Sequence, residues 1–233
     1  MTNENSEKTY QELKEKAEAA LSADNSELAI SIYEDAVTCF PGNPNPLVDL
    51  GNVFLDLRQL PEAERAFKKS LDISPGFSRG YHSLALICSA KEMYQQAIEY
   101  YQMAIDTGEA KYGTFNNLGN IYIDLKELNK AEKVFKQGCE CGEHKSTALY
   151  NLGRVYALQK KYEQALEYYE PATKLLEEEV KIDHEKGLDK RAEINNKNLF
   201  MYYKSIAKSY TDLNILLNIN TVLKSPLSEC FQL

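Results

Sequence analysis

A repeat of 34 residues runs through most of this chain and constrains its fold more than any other feature. The segment DLGNVFLDLRQLPEAERAF (49–67) matches NLGNIYIDLKELNKAEKVF (117–135) at an offset of 68 residues, which is twice 34. Two further copies, SLALICSAKEMYQQAIEYY (83–101) and NLGRVYALQKKYEQALEYY (151–169), lie 34 residues from their neighbours. A period of roughly 20–50 residues is typical of arrays in which each unit is one supersecondary element packed on the next. The sequence therefore predicts a repeat array.

Each copy keeps the same residue types in the same columns. A leucine column is followed by a column of small residues: Leu50, Leu84, Leu118 and Leu152, then Gly51, Ala85, Gly119 and Gly153. Three further columns hold Phe54, Cys88, Tyr122 and Tyr156; Ala63, Ala97, Ala131 and Ala165; and Phe67, Tyr101, Phe135 and Tyr169. Apolar residues spaced i, i+3, i+4 and i+7 occupy one face of a helix. Pro61 stands where a second helix would begin, a position that tolerates its missing N–H. Each unit therefore predicts a pair of helices.

These columns resemble the tetratricopeptide repeat, whose pattern is a large residue, Leu-Gly, Tyr, Ala-x3-Phe and a closing Pro. The large residue is Leu47, Tyr81, Phe115 or Leu149 here. The closing proline is present at Pro41 and Pro75 and is replaced in later units. The resemblance implies an all-α fold, a right-handed superhelical solenoid of antiparallel helix pairs. It also implies that the first helix of each pair lines a concave groove.

The period sets the predicted boundaries of the chain. Residues 1–9 are predicted to be a disordered N-terminus, and residues 10–179 to be five tandem units: 10–43 (a weak match), 44–77, 78–111, 112–145 and 146–179. After residue 179 the rhythm breaks, and 180–224 is interpreted as an extended helical insert with a degenerate closing repeat, followed by a flexible tail at 225–233. The insert is predicted to lengthen two adjacent helices that meet near Gly187, with Pro171 as a kink in the first. Leu216, Ile219 and Leu223 belong either to a closing helix or to a surface for self-association.

Charge and composition limit the function classes. The net charge of −8 argues against nucleic-acid binding, which needs a basic face. No apolar run approaches the roughly 20 residues of a membrane span, and the polar start MTNENSEKTYQELKEK lacks the apolar core of a signal peptide. Five cysteines without framework spacing suggest reduced thiols. We therefore expect a cytoplasmic protein without direct membrane insertion.

The resemblance also indicates which residues face the groove. With about 100° per residue, repeat positions 2, 5, 6, 9, 12 and 13 of each first helix lie together, and we call these the groove positions. The candidate peptide-binding residues at these positions are Asn52, Arg79, His82, Asn116, Asn117, Asn120, Tyr150, Asn151 and Arg154. An asparagine side chain both donates and accepts, so it can pair with the backbone of an extended peptide whatever its sequence. The competing interpretation is an ordinary solvated face that happens to carry amides.

One family-specific binding mode is disfavoured. Family members that clamp the acidic C-terminal tails of heat-shock chaperones place lysine at position 5 and asparagine at positions 6 and 9. Asparagines occur in such places here, at Asn52, Asn120 and Asn151, but position 5 holds Val48, His82, Asn116 and Tyr150. Without the lysines, a dicarboxylate clamp is not predicted.

The residues give no support for catalysis, a metal or a cofactor. The stretch CECGEH carries Cys139, Cys141 and His144, but the two cysteines fall in the apolar columns of Leu71 and Ile73. Because buried cysteine behaves as a small hydrophobe, core packing is the preferred interpretation. The histidines lack a neighbouring nucleophile, and Gly119 belongs to the small-residue column rather than to a phosphate-binding loop.

The predicted function is therefore a non-enzymatic scaffold or adaptor. It would bind peptide or helical segments of partner proteins in the groove. Two alternatives remain: a chaperone-like carrier for an assembly or export client, and a structural subunit that assembles with itself, with the C-terminal helix as a route to a homo-oligomer.

Overall fold

The computed structural model of the protein describes residues 3–142 and 144–212. Within these ranges the secondary structure consists of eleven helices and no strands, which confirms the all-α prediction. In chain order they are α1 (Asn3–Ser22), α2 (Ser26–Cys39), α3 (Asn45–Asp56), α4 (Leu60–Ile73), α5 (Ser78–Ala90), α6 (Tyr94–Asp106), α7 (Tyr112–Asp124), α8 (Leu128–Glu140), α9 (Lys145–Leu158), α10 (Tyr162–Glu185) and α11 (Asp189–Asp212). Each predicted 34-residue unit holds one pair of these helices.

The two ends of the described chain depart from the regular unit. Helix α1 begins at Asn3, inside the stretch 1–9 that the sequence analysis assigned to a disordered N-terminus. Helices α10 and α11 have 24 residues each, whereas α3 to α9 have 12 to 14. They meet at a turn in which Gly187 has φ +67, and Pro171 lies inside α10. The predicted roles of Leu216, Ile219, Leu223 and the tail at 225–233 lie outside the described residues.

The turn inside each pair repeats with the same period as the sequence. Asp24, Arg58, Glu92, Lys126 and Lys160, spaced 34 residues apart, all have positive φ, between 58° and 62°. The next residue donates its N–H to a carbonyl five residues back, as from Gln59 to Phe54 at 2.8 Å. This is the bond of a Schellman cap, which satisfies a carbonyl at the end of a helix. Repeat position 15 is therefore left-handed in all five units, although no glycine occupies it.

The small-residue column brings the two helices of a pair close together. A Cβ atom on Gly51 would lie 2.3 Å from Cε1 of Phe67, and one on Gly153 would lie 2.5 Å from Cδ1 of Tyr169. Both aromatic side chains are fully or almost fully buried. These two glycines therefore have a packing role, and Gly119, which is also buried, occupies the same column.

The chain divides into two compact units, residues 1–121 and 122–233, with the boundary inside α7. In unit 1, Leu50 and Val53 of α3 pack with Ala17, Ala29 and Tyr33 of the preceding pair. In unit 2, Ile206 of α11 packs with Tyr156, Ala165 and Tyr169. In each unit a first helix therefore packs apolar side chains against the preceding pair. Helix α3 does so at repeat positions 7 and 10, and α11, in a unit counted from residue 200, does so at position 7.

Candidate protein-binding face

None of the nine predicted groove residues is fully exposed in the structure. Asn151 is buried and the other eight are half-buried. Six lie in unit 1 and three in unit 2: Asn52, Arg79, His82, Asn116, Asn117 and Asn120 in the first, and Tyr150, Asn151 and Arg154 in the second. Whether these residues bind a partner stays a prediction, but the structure shows the contacts that position several of them.

In unit 1 a charged network ties together the groove positions of three first helices. The Asp49 carboxylate on α3 is only 7% exposed and accepts a hydrogen bond from the Tyr10 hydroxyl of α1. The guanidinium of Arg79 on α5 donates to Asp49 Oδ1 and to Asn45 Oδ1, both at 2.5 Å. Lys14 Nζ lies 3.9 Å from the same carboxylate. A buried carboxylate needs such partners, because an unpaired charge in the interior is strongly unfavourable.

Burial in this network also affects the tyrosines beside it. Burial, together with the hydrogen bond to the Asp49 carboxylate, raises the pKa of Tyr10 far above its ordinary value. Burial raises the pKa of Tyr33 to about 12, with the Asp49 charge adding to the effect. Both hydroxyls therefore stay protonated at physiological pH, and Tyr10 remains a hydrogen-bond donor to Asp49.

His82, the next groove residue on α5, is neutral at physiological pH. Burial, reinforced by the positive charge of Arg79, lowers its pKa from 6.5 to about 4. Its Nδ1 lies 3.0 Å from the Thr114 hydroxyl of α7, and its ring meets the Tyr101 ring edge-on at 5.5 Å. His82 is thus held as a neutral hydrogen-bonding group.

The amides of α7 and α3 complete the polar face of unit 1. The Asn116 side chain accepts a hydrogen bond from the Tyr112 hydroxyl at Oδ1 and donates from Nδ2 to Asn117 Oδ1, each at 3.4 Å. Asn120 follows one turn later on the same helix and is half-buried. Asn52 is also half-buried, and no side-chain hydrogen bond of Asn52 to another described residue is found. Unit 1 therefore presents both donors and acceptors at consecutive groove positions.

In unit 2 the Tyr150 side chain, at a groove position of α9, packs against neighbouring helices. The ring of Tyr150 on α9 stacks on Tyr202 of α11, with centroids 3.9 Å apart and an interplanar angle of 7°. Its hydroxyl lies 3.0 Å from Ser205 Oγ, also on α11, and its ring contacts Tyr169 at 5.3 Å. Arg154 donates to Asn151 Oδ1 at 2.9 Å. Helix α11 thus covers Tyr150.

Tyr10 and Tyr202 are among the residues that take part in these contacts but were not predicted as site residues. Tyr10 sits at position 1 of the weak first unit, and only its aromatic character at the start of a repeat hinted at a role. Tyr202 lies just beyond the insert, where the column alignment is least certain. Both residues act through contacts with a neighbouring pair of helices, which one repeat considered alone does not reveal.

The structure also shows where the cysteines lie and whether side chains are grouped to hold a metal ion. Cys88 is buried, as predicted for a core column, and burial raises the pKa of its thiol. Cys139 and Cys141 are half-buried, and Cys39, the last residue of α2, is exposed. Across residues 3–142 and 144–212, no group of three or more His, Cys, Asp or Glu side chains is placed to hold a metal ion.

No described helix is long and apolar enough to cross a membrane.

Paired helices with a 34-residue period in both sequence and turn conformation define a helical-repeat protein. Tetratricopeptide-repeat family models match residues 81–111 and 111–178. Tetratricopeptide repeats therefore occupy residues 81–178 of the chain.

Two curated relatives match part of the chain. Protein bimA of Emericella nidulans is 27% identical over 94 residues, which is 40% of this chain and 12% of bimA. Human tetratricopeptide repeat protein 21B is 27% identical over 106 residues, 43% of this chain and 8% of that protein. The chain thus matches about a tenth of the length of either relative.

Solved structures with the same fold cover more of the chain. PilF of Pseudomonas aeruginosa has a TM-score of 0.63 at 15% identity, covering 98% of each chain. A solved chain of MamA from Desulfovibrio magneticus, residue 41 to the end, has a TM-score of 0.56 at 16% identity, covering 71% of this chain and 94% of that chain. YrrB, described as a tetratricopeptide-repeat protein with an unusual peptide-binding site, has a TM-score of 0.55 at 17% identity, covering 77% of this chain and 93% of YrrB. At these identities the similarity establishes the fold.

Proposed function

We propose that this protein is a non-enzymatic interaction scaffold that binds an extended segment of a partner protein on the polar face of unit 1. The observation that carries the proposal is the row of amide, imidazole and guanidinium groups at the groove positions of α3, α5 and α7. The tetratricopeptide fold supports protein interaction in general, and YrrB is a family member described as having a peptide-binding site. A fold alone does not establish a function, so the argument rests on the side chains.

The chemistry of this face suits peptide backbone rather than a charged tail. Arg79 already donates to Asp49 and Asn45, which offsets its charge and fixes its position. His82 carries no charge at physiological pH because its pKa is about 4. The remaining groups at the face are amides such as Asn52 and Asn120, which can donate to a backbone carbonyl and accept from a backbone N–H. We therefore expect binding that depends little on the charge of the peptide.

The two compact units differ in their suitability for this role. In unit 2, Tyr150 stacks on Tyr202 and its hydroxyl faces Ser205, so a ligand would have to displace α11 to reach it. Asn151 is buried and accepts from Arg154. The proposed peptide-binding residues are therefore those of unit 1, and Tyr150, Asn151 and Arg154 are not part of the proposed site.

Panning a library of unstructured peptides on the full chain, followed by fluorescence anisotropy with the recovered peptides, tests the proposal. Asn52→Ala and Asn120→Ala remove two amides from the same repeat position, and alanine favours a helix, so folding should be retained. We expect each change to weaken binding about 5- to 10-fold, since one hydrogen bond contributes about 1 kcal/mol, and the double variant to lose more.

Gln95→Ala provides a matched control, because Gln95 is an exposed amide on α6, a second helix. This variant should bind like the wild type. Recovered peptides that bind the double variant as tightly as the wild type would exclude the polar face of unit 1 as the binding site. A panel of peptides recovered only for their acidic character would contradict recognition through the backbone.

A further inference from the structure

The hydroxyl of Tyr101 on α6 is a buried polar group of unit 1 without a hydrogen bond. The Tyr101 side chain is fully buried, and no donor or acceptor among the described residues has hydrogen-bond geometry to its hydroxyl. Burial raises the pKa of Tyr101, and the neighbouring Ser89 and Asn117 side chains offset only part of this rise. The hydroxyl therefore keeps its proton at physiological pH. An unpaired donor in the interior is unfavourable and uncommon in folded proteins.

This hydroxyl lies beside the polar face of unit 1. The Tyr101 ring meets the His82 ring edge-on at 5.5 Å, and the neighbours of its hydroxyl are Ser89 and Asn117. His82, Asn117 and Ser89 occupy repeat positions 5, 6 and 12, which are all groove positions. The Ser89 hydroxyl already donates to the Ala85 carbonyl oxygen at 2.8 Å, which fixes its orientation. Asn117 is therefore the neighbour whose side chain can change partner.

Asn117 takes part in a long hydrogen bond with the preceding groove residue. Its Oδ1 accepts from Asn116 Nδ2 at 3.4 Å, which is longer than the typical distance of about 2.9 Å. The Asn116 amide can instead donate to a backbone carbonyl of a bound peptide. A peptide that draws Asn116 Nδ2 away leaves Asn117 Oδ1 without this donor, next to a tyrosine hydroxyl that has no acceptor.

We propose that Tyr101 is a positioning residue of the polar face of unit 1: when a peptide engages Asn116, the Tyr101 hydroxyl donates to Asn117 Oδ1 and fixes that amide against the peptide. The inference rests on the proposed function, because it requires a peptide on this face. The complex then contains a hydrogen bond within the protein that the free chain lacks, so the cost of the unpaired hydroxyl is removed only on binding. Tyr101 acts on the peptide through Asn117 without touching it.

Tyr101→Phe in the full chain separates this role from packing. The change keeps the ring and removes the hydroxyl, and phenylalanine already fills the same column at Phe67 and Phe135, which are fully buried. Without peptide, we expect a thermal unfolding midpoint equal to or above that of the wild type, because an unpaired donor is removed. With a labelled peptide recovered by panning, we expect anisotropy to show affinity about 5- to 10-fold lower. A tyrosine with only a structural role would not lose affinity while keeping stability.

Two further variants test the route through Asn117. Asn117→Ala removes the acceptor, so adding Tyr101→Phe to this background should cause no further loss of affinity. Tyr169→Phe is the matched control, because it removes a hydroxyl from the same repeat position in unit 2. It should leave peptide affinity unchanged.

The possible results distinguish this inference from the proposed function. A midpoint lowered by about 2–4 °C in Tyr101→Phe would show that the hydroxyl is already hydrogen-bonded in the free chain. Unchanged peptide affinity in the same variant would show that the hydroxyl has no part in binding. Either result overturns the inference, while the proposed function stands if Asn52→Ala and Asn120→Ala still weaken binding. If panning recovers no peptide, the proposed function fails and the positioning role fails with it.

Discussion

The groove positions are used differently in unit 1 and unit 2. At positions 2 and 6 of unit 1, Arg79 and Asp49 form an ion pair that joins α3 to α5, with Tyr10 of α1 on the same carboxylate. At position 5 of unit 2, Tyr150 stacks on Tyr202 of α11. The groove positions therefore carry polar chemistry in one unit and fixed aromatic packing in the other. In unit 2, α11 covers the groove residue Tyr150 of α9.

The largest effect on stability is expected when Asp49, the shared acceptor of the polar network of unit 1, is replaced. Asp49→Ala leaves the Arg79 guanidinium and the Tyr10 hydroxyl, both partly or fully buried, without their shared acceptor. Leaving the buried Tyr10 hydroxyl without its acceptor and the half-buried Arg79 without its counter-ion costs about 3 kcal/mol, so we expect the amides of unit 1 to lose protection against hydrogen exchange. Because stability in repeat arrays is largely local, the amides of α9 to α11 should change much less.

Asp56→Ala provides the control for charge alone, since Asp56 is an exposed aspartate at the end of α3. It should shift stability by less than about 0.5 kcal/mol. An equal loss in both variants would show that the network around Asp49 does not stabilise unit 1.

The second prediction applies the same test to unit 2. Tyr150→Ala removes a stacked ring from between Tyr202 and Tyr169, and deleting a large aromatic side chain from a packed site costs about 3 kcal/mol. We expect α11 to lose protection before α9 does, because the lost contacts join those two helices. Tyr150→Phe keeps the stack and loses only the contact with Ser205, so it should cost about 1 kcal/mol. Equal losses for the two variants would mean that the hydroxyl, not the ring, holds α11.

The third prediction concerns the pH dependence of the stability of unit 1, which contains His82. His82 has a pKa of about 4 in the folded chain, because of burial and the nearby Arg79, and about 6.5 when unfolded. Between these values the unfolded state binds more protons, so the stability contributed by neutral His82 is complete above pH 6.5 and is lost as the pH falls toward 4. By pH 5 the loss amounts to about 2 kcal/mol.

His82→Gln keeps a neutral hydrogen-bonding group and should remove this part of the pH dependence of unfolding. His184→Gln, at an exposed histidine of α10, is the control for a histidine-to-glutamine change elsewhere in the chain. If wild type and His82→Gln show parallel stability curves from pH 8 to pH 5, His82 is not the group that titrates.

The sequence alone predicted the helix pairs because their determinants are local and periodic. The columns of Tyr101 and Tyr169 are buried as the repeat alignment required, and Gly51 and Gly153 meet the aromatic rings as expected of spacers. The candidate site was predicted less well. Arg79 reaches Asp49 across 30 residues of sequence, and its rotamer depends on the neighbouring pair. Tyr150 is covered by Tyr202, which lies beyond the insert of about 20 residues, where the 34-residue repeat pattern no longer predicts the position of a side chain.

The smallest effect is expected at the turns, where the two units should behave alike. Arg58 in unit 1 and Lys160 in unit 2 both hold the left-handed conformation, with φ of 61° and 62°. Glycine adopts this conformation without the Cβ penalty of about 1 kcal/mol, although its greater freedom in the unfolded chain and the loss of a cation at a helix C-terminus offset part of the gain. Arg58→Gly and Lys160→Gly should therefore each stabilise the chain by about 0.5 kcal/mol in thermal unfolding. Gln59→Gly and Lys161→Gly, at neighbouring positions with negative φ, should destabilise it. A gain in only one unit would show that the turns, like the groove positions, depend on the helices packed next to them.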